Sequence, residues 1–184
     1  MNKKMVMGLF IAFIMIASIF GVVFDRFVAP SQSYEYGDFK FRVYNNQYIA
    51  NINGKQHTFS FFPRDLEAIQ VSDDVKALLD QPVLTVAYDP NSDMAEAFGE
   101  AQYYFEVQLD GKSIERALTD NTNFTSIPKK SCADATSSQP VIELRKSNES
   151  GIVADKNCLI INSLDQYDLY QQTERTIYTA LGVM

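Results

Sequence analysis

Tryptophan is absent from this chain, histidine occurs once and cysteine twice. A structural zinc site takes four nitrogen or sulfur ligands, so one histidine and two cysteines argue against one. A Ser-His-Asp or Cys-His mechanism would have to use His57 as its base. No Gly-x-Ser-x-Gly segment supplies the sharp turn that would present a serine to it. Glycine is sparse as well, at 8 of 184 residues, and no glycine-rich stretch could cradle a phosphate. Positive charge is short: the net charge is −7. Two of the 16 bases, Lys3 and Lys4, precede Asp25 and no acid does, which leaves 14 bases against 23 acids beyond that point, a net −9. Such a charge repels phosphate backbones and anionic headgroups. With no RNP-like motif, zinc spacing or basic stripe either, nucleic acid is not an expected partner. Internal repeats and low-complexity tracts are also missing.

One long apolar run is present. Residues 5–24, MVMGLFIAFIMIASIFGVVF, form 20 consecutive positions without a charge. At about 1.5 Å per residue, such a helix just crosses a hydrocarbon core of ~30 Å. Lys3 and Lys4 place positive charge before it, while Asp25 and Arg26 cancel after it. The positive-inside rule then sets the N-terminus in the cytoplasm and the rest outside. A cleaved secretory signal has a shorter apolar stretch of ~7–15 residues and a small-x-small site. The nearest match here, Val28-Ala29, is followed by Pro30. The expectation is an uncleaved single-pass anchor over residues 1–27, touching the lipid bilayer through residues 5–24. A linker over 28–37 and one extracytoplasmic domain over 38–184 follow, held at the cell membrane. Roughly 160 residues suit one domain and can bury about two thirds of the unfolded surface.

Within that domain, Phe39, Phe41 and Val43 alternate with Lys40 and Arg42 as in a half-buried strand. Asn45-Asn46 makes a turn into a second strand, Gln47–Ile52. Asn53-Gly54 is a strong hairpin signal, because both central residues of a type I′ turn need φ > 0. A third strand covers residues 55–62 and stops at Pro63. Ser72 reads as an N-cap, with Asp73 and Asp74 in the first turn of a short helix that Pro82 closes. Val83–Tyr88, VLTVAY, reads as a buried strand. Asp93 and Glu96 have capping-box spacing. Met94, Ala97, Phe98, Ala101, Phe105 and Leu109 mark one face of the helix that follows. A strand over 113–119 completes a parallel crossover.

Residues 120–140 are a polar loop, long enough to need a reason, and Cys132 lies within it. Segments 141–146 and 151–154 suggest a hairpin around 147–150. Residues 158–162 suggest a further strand. Ser163 reads as the cap of a last helix with a stripe of Tyr167, Tyr170, Ile177, Tyr178 and Leu181, and Gly182 as its C′ residue. The fold class is α+β: a transmembrane helix, then one domain with a β-meander, a mixed sheet and packed helices, closed by one disulfide, its strands together making one sheet of about five to seven.

The lysine-led anchor, the Asn-Gly meander running into FFPRDLE, the stretch PVIEL between two cysteines and the closing ALGVM come in a distinctive order. Across the whole chain it resembles that of single-span, membrane-anchored extracytoplasmic proteins of archaeal type with no assigned function. None of these motifs is catalytic, so the resemblance implies topology and no activity.

Exported thiols pair by default, so Cys132 and Cys158 are expected to form a disulfide. A redox pair would ordinarily sit as Cys-x-x-Cys; these are 26 apart. His57 falls on the same strand face as Phe59 and Phe61 and reads as a packed side chain. Asp89, Asn91 and Asp93, with Glu100, match positions 1, 3, 5 and 12 of a calcium loop. The glycine needed at position 6 is Met94. A strand-end turn and helix cap is the simpler reading, with a small-ligand or ion site near Asp89–Asp93 as the alternative. Asp89 also follows a strand entering a crossover, where open sheets bind ligands. Asn123 and Asn148 head glycosylation sequons. No catalytic residue, metal or cofactor is assigned. The expected function is a tethered, non-enzymatic interaction or scaffold module of the cell envelope, its partner another envelope protein. A tethered hydrolase using two carboxylates is the competing class, and a pocket holding two buried carboxylates would favour it.

Overall fold

The computed structural model describes residues 13–16, 32–109, 111–121 and 123–184. The chain divides into two compact units, Met1–Gln32 and Ser33–Met184. In the first unit, residues 13–16 are helical and exposed. The rest of the expected anchor over 5–24, and of the segment 1–27, lies outside the described residues. Among the described residues, no helix is long and apolar enough to cross a membrane.

The second unit is α+β. Its first sheet is an antiparallel meander in chain order: β1 (Ser33–Tyr36), β2 (Phe39–Tyr44), β3 (Gln47–Ile52) and β4 (Lys55–Phe59). The asparagine signals produce the expected turns. Asn45 and Asn46 take φ of 48° and 62°, and Asn53 and Gly54 take 53° and 82°. Phe41, Ala50 and His57 stand opposite one another across three strands, and all three are buried.

The expected linker over 28–37 needs correction, because residues 33–36 form β1. The pairing of Tyr34 with Phe41 explains it. Alternation puts Tyr34 and Tyr36 on one face, where their rings meet Phe62 at 5.7 and 6.1 Å. These tyrosines pack on the meander, although Tyr34 keeps 43% exposure.

The second sheet is mixed. Its strands are β5 (Val83–Tyr88), β6 (Ser113–Leu118), β7 (Val141–Lys146), β8 (Gly151–Asp155) and β9 (Cys158–Ser163), in the order β6-β5-β7-β9-β8. The expectation of one sheet of five to seven strands is therefore corrected to two sheets, of four and five strands. The expected hairpin between 141–146 and 151–154 is corrected too. β7 and β8 do not pair; β9 lies between them, parallel to β7 and antiparallel to β8. The reason is apolarity. β9 buries Cys158, Leu159 and Ile161, as an interior strand must. β8 leaves Val153 half exposed, which suits an edge.

The helices are α1 (Asp73–Leu79), α2 (Ala95–Gln108) and α3 (Gln166–Ala180). α2 carries the parallel crossover from β5 to β6, and its predicted stripe from Met94 to Leu109 is buried throughout. α2 and α3 bond to both sheets. Toward the meander, Tyr104 and Gln108 donate to the Thr58 carbonyl at 2.6 and 2.9 Å, and the Tyr178 hydroxyl donates to the Phe61 carbonyl at 2.9 Å. Toward the mixed sheet, Gln102 donates to the Val86 carbonyl and Gln172 to the Asn162 carbonyl, each at 2.7 Å. The aromatic core is continuous across this layer, with Phe59 stacked on Tyr178 at 4.1 Å.

Three local expectations shift. α2 is capped at Met94 with no side-chain bond, so the Asp93–Glu96 capping box does not form. α3 is capped by Asp165, which accepts from the Asp168 amide at 2.9 Å, rather than by Ser163. Its buried face is drawn from Leu169, Thr173, Thr176, Ile177 and Tyr178, while Tyr167 is 63% exposed. Polar residues, among them Gln172, Thr173, Glu174, Thr176 and Thr179, make up much of that face, so a hydrophobic pattern could not reveal it. Gly182, at φ 74°, ends α3 as expected. The Val183 amide reaches the Tyr178 carbonyl and the Gly182 amide that of Thr179, the Schellman pattern.

The long loop has its reason. β6 and β7 flank β5 on opposite sides, so their connection must cross the sheet. α2 and α3 pack on one face. The loop crosses the other as a strap, with Lys129 bridged to Leu118. The Cys132–Cys158 disulfide fastens it to β9. Lys130 and Gln139 both reach Glu115, and Gln139 also donates to Thr85. Ala87, Ala117, Val141 and Cys158 form a small second core on this face, with Cys132 packed against it.

Candidate functional site

At the carboxyl end of β5 the connections diverge, through α2 to β6 on one side and with β7 on the other. Open sheets leave a crevice at such a switch point. Here it encloses about 390 Å³. Asp89 and Ser92 follow β5, and Thr119 follows β6. Glu143, Arg145 and Lys146 arrive on β7, whose register sets Leu144 beside Tyr88. Phe98 of α2 and Leu144 complete the wall. Asp89, Glu143, Arg145 and Lys146 cancel in formal charge, on a body that carries −9.

The predicted trio divides. Asp89 Oδ1 accepts from the Asn91 backbone amide at 2.9 Å and from its side-chain amide at 3.2 Å, closing an Asx turn. The Asn91 side chain also donates to Asp120. Asp93 turns instead to Lys146, and the Lys146 ammonium holds its carboxyl below the usual range. A protein cation thus occupies one carboxylate that a calcium loop would need. Glu143 accepts from the Cys132 amide at 2.8 Å and from Arg145 Nε at 2.7 Å, tying the crevice floor to the strap.

His57 is buried, and its Nδ1 lies 2.9 Å from Gln108 Oε1. Gln108 spends its own amide hydrogens on Thr58, so its oxygen is the acceptor and Nδ1 carries the proton. His57 lines neither the crevice nor the cavities at β2–β4 and α2–α3. Cys132 and Cys158 form the expected disulfide. Among the described residues, these two and Glu143 are the group close enough to share an ion, but the bond occupies both sulfurs. Asn123, on the strap, and Asn148, between β7 and β8, are both exposed.

Sequence reasoning reached the Asp89 side of the crevice and missed Thr119, Glu143, Arg145 and Lys146. The available signal was the strand VIELRK, apolar at its start and charged at its carboxyl end. No protein-family model matches the chain, and no curated protein or solved structure matches it.

Proposed function

We propose that this chain is a non-enzymatic, membrane-tethered binding module of the cell envelope. Its recognition site is the crevice at the carboxyl ends of β5 and β7, and its ligand is a polar segment of a neighbouring envelope protein. The observation that supports this reading is the balanced charge of a crevice at a switch point. Paired acids and bases, with the Ser92 and Thr119 hydroxyls, suit a polar, net-neutral surface better than a polyanion.

The anchor reading of residues 5–24 supports the tether. Catalysis draws less support. The crevice carboxylates are both engaged, Asp89 in its Asx turn and Glu143 with Cys132 and Arg145. The cavity between α2 and α3 holds one buried carboxylate, Glu174, and one exposed, Glu100, short of the two buried acids a carboxylate hydrolase would want. Lys146→Glu tests the reading. It reverses one crevice charge at an exposed position and breaks a surface pair with Asp93, so the melting temperature should fall by no more than a few degrees while partner cross-linking in native membranes is lost. Undiminished cross-linking would exclude the crevice as the recognition site.

A further inference from the structure

A second cavity, of about 260 Å³, opens between α2 and α3 beside the end of β4. Tyr103, Tyr104 and Tyr170 line it, with Glu100, Glu174 and Ser60. Among the described residues, no lysine, arginine or histidine is in its wall. Glu174 is 97% buried and fixed in place: the Ser60 and Phe61 amides donate to its two oxygens at 2.7 and 2.9 Å. The Tyr104 hydroxyl, which donates to the Thr58 carbonyl at 2.6 Å, lies 3.2 Å from the same carboxyl group. Glu100 is held at the rim by the Tyr170 hydroxyl. Tyr170 is positioned in turn by Gln166, whose amide donates to its oxygen at 2.7 Å.

Phenol rings attract cations through their quadrupole, more strongly where water is excluded. The Tyr103 ring already carries one such contact, with the Arg116 guanidinium carbon 5.8 Å from its centroid. Arg116 does not line the cavity, and Glu106 neutralises it. Three rings and two carboxylates without a base make a cavity complementary to a compact positive charge.

We infer that this cavity is a binding site for a small organic ammonium ion, an amine or quaternary ammonium, seated among Tyr103, Tyr104 and Tyr170 and balanced by Glu100, with the Glu174 carboxyl group at its inner end. The site is independent of the crevice. Compact size and apolar walls favour an organic cation over a hydrated metal ion, which needs oxygen ligands on several sides.

Choline is a suitable probe, and 3,3-dimethylbutan-1-ol is its uncharged isostere. With no tryptophan in the chain, near-ultraviolet emission reports tyrosine alone. Titrating choline chloride into the full chain in detergent should perturb that emission saturably, while sodium chloride and the isostere should not. Glu100→Gln and Tyr170→Leu should each weaken the apparent affinity about threefold, the scale of one solvent-exposed cation–π or charge contact. Lys146→Glu, in the crevice, should leave it unchanged. Glu100 is exposed, so its variant keeps the core intact, and circular dichroism checks both folds. An absent response, an equal response to the isostere, or full affinity in Glu100→Gln would overturn the proposal. If only choline-type lipid headgroups in vesicles elicit the response and free choline does not, the soluble-ligand assignment fails.

Discussion

Glu174 is a buried carboxyl displaced from its ordinary range into the neutral one. Burial raises its pKa from 4.5 to about 7, against the opposing pull of the Ser60 and Phe61 amides and the Tyr104 hydroxyl. The same low-polarity surroundings and the Glu174 charge push the Tyr104 and Tyr178 hydroxyls up. Between those two values the folded chain keeps a proton that the unfolded chain has released. Stability is therefore full below the lower value and falls as pH rises through the upper one. Over the whole window the loss is about 3 kcal/mol. Asp93 and Glu115 have lowered pKa values, so their contributions are lost only as pH falls below the ordinary carboxylate range, outside this window. Urea unfolding at about pH 5 and about pH 8 should show the decline, and Glu174→Gln should flatten it. An equal slope in the variant would show that another group titrates.

Gly182 and Lys146 give two more tests at this scale. Gly182 sits at φ 74°, where a side chain is strained. Gly182→Ala should cost about 1 kcal/mol and lower the melting temperature by a few degrees, with no change in secondary structure. Lys146 engages Asp93 in the calcium-like segment, so calcium or a chelator should leave the melting temperature unchanged. An ion bound at 100 times its Kd would add about 2.7 kcal/mol, readily seen. A calcium-dependent rise that Asp89→Asn removes would reinstate the ion site.

At the scale of elements, the strap is the feature that holds the mixed sheet's second face. Its disulfide closes a separation of 26 residues. Loop-closure entropy puts the value of that link at roughly 3.5 kcal/mol. Replacing both cysteines by alanine should lower the unfolding free energy by that order. Amide exchange should rise first in the strap and β9 and leave the meander protected. Uniform loosening of the meander would contradict this division.

Local chemistry made some elements legible and left others hidden. Asn45-Asn46 and Asn53-Gly54 announce the meander because positive φ is a residue-level demand. The α2 stripe announces the crossover because helical period shows in six buried positions. The placing of β9 between β7 and β8 could not be read locally, since pairing of distant strands leaves no mark on spacing. The crevice was half legible for the same reason. Asp89 follows β5 in sequence, but Arg145 and Lys146 reach it only through the parallel register of β5 with β7. Glu174 was invisible, because a polar residue on a threonine-rich helix face gives no apolar signal.

For the whole molecule, the proposed function joins the anchor expected over residues 5–24 to a domain with a defined crevice. Topology is tested by protease added to intact cells: the domain beyond Asp25 should be digested while a cytoplasmic control survives. Protection of the domain together with that control would reverse the orientation. The most direct test of recognition places a photoreactive residue at Thr119, on the crevice, and at Val153 on the outer edge strand, each in the full chain in native membranes. If the crevice is the recognition site, irradiation gives a discrete cross-linked product from the Thr119 position, lost in Lys146→Glu, and none from Val153. The same product from both positions, or a Thr119 product that survives the charge reversal, would contradict it.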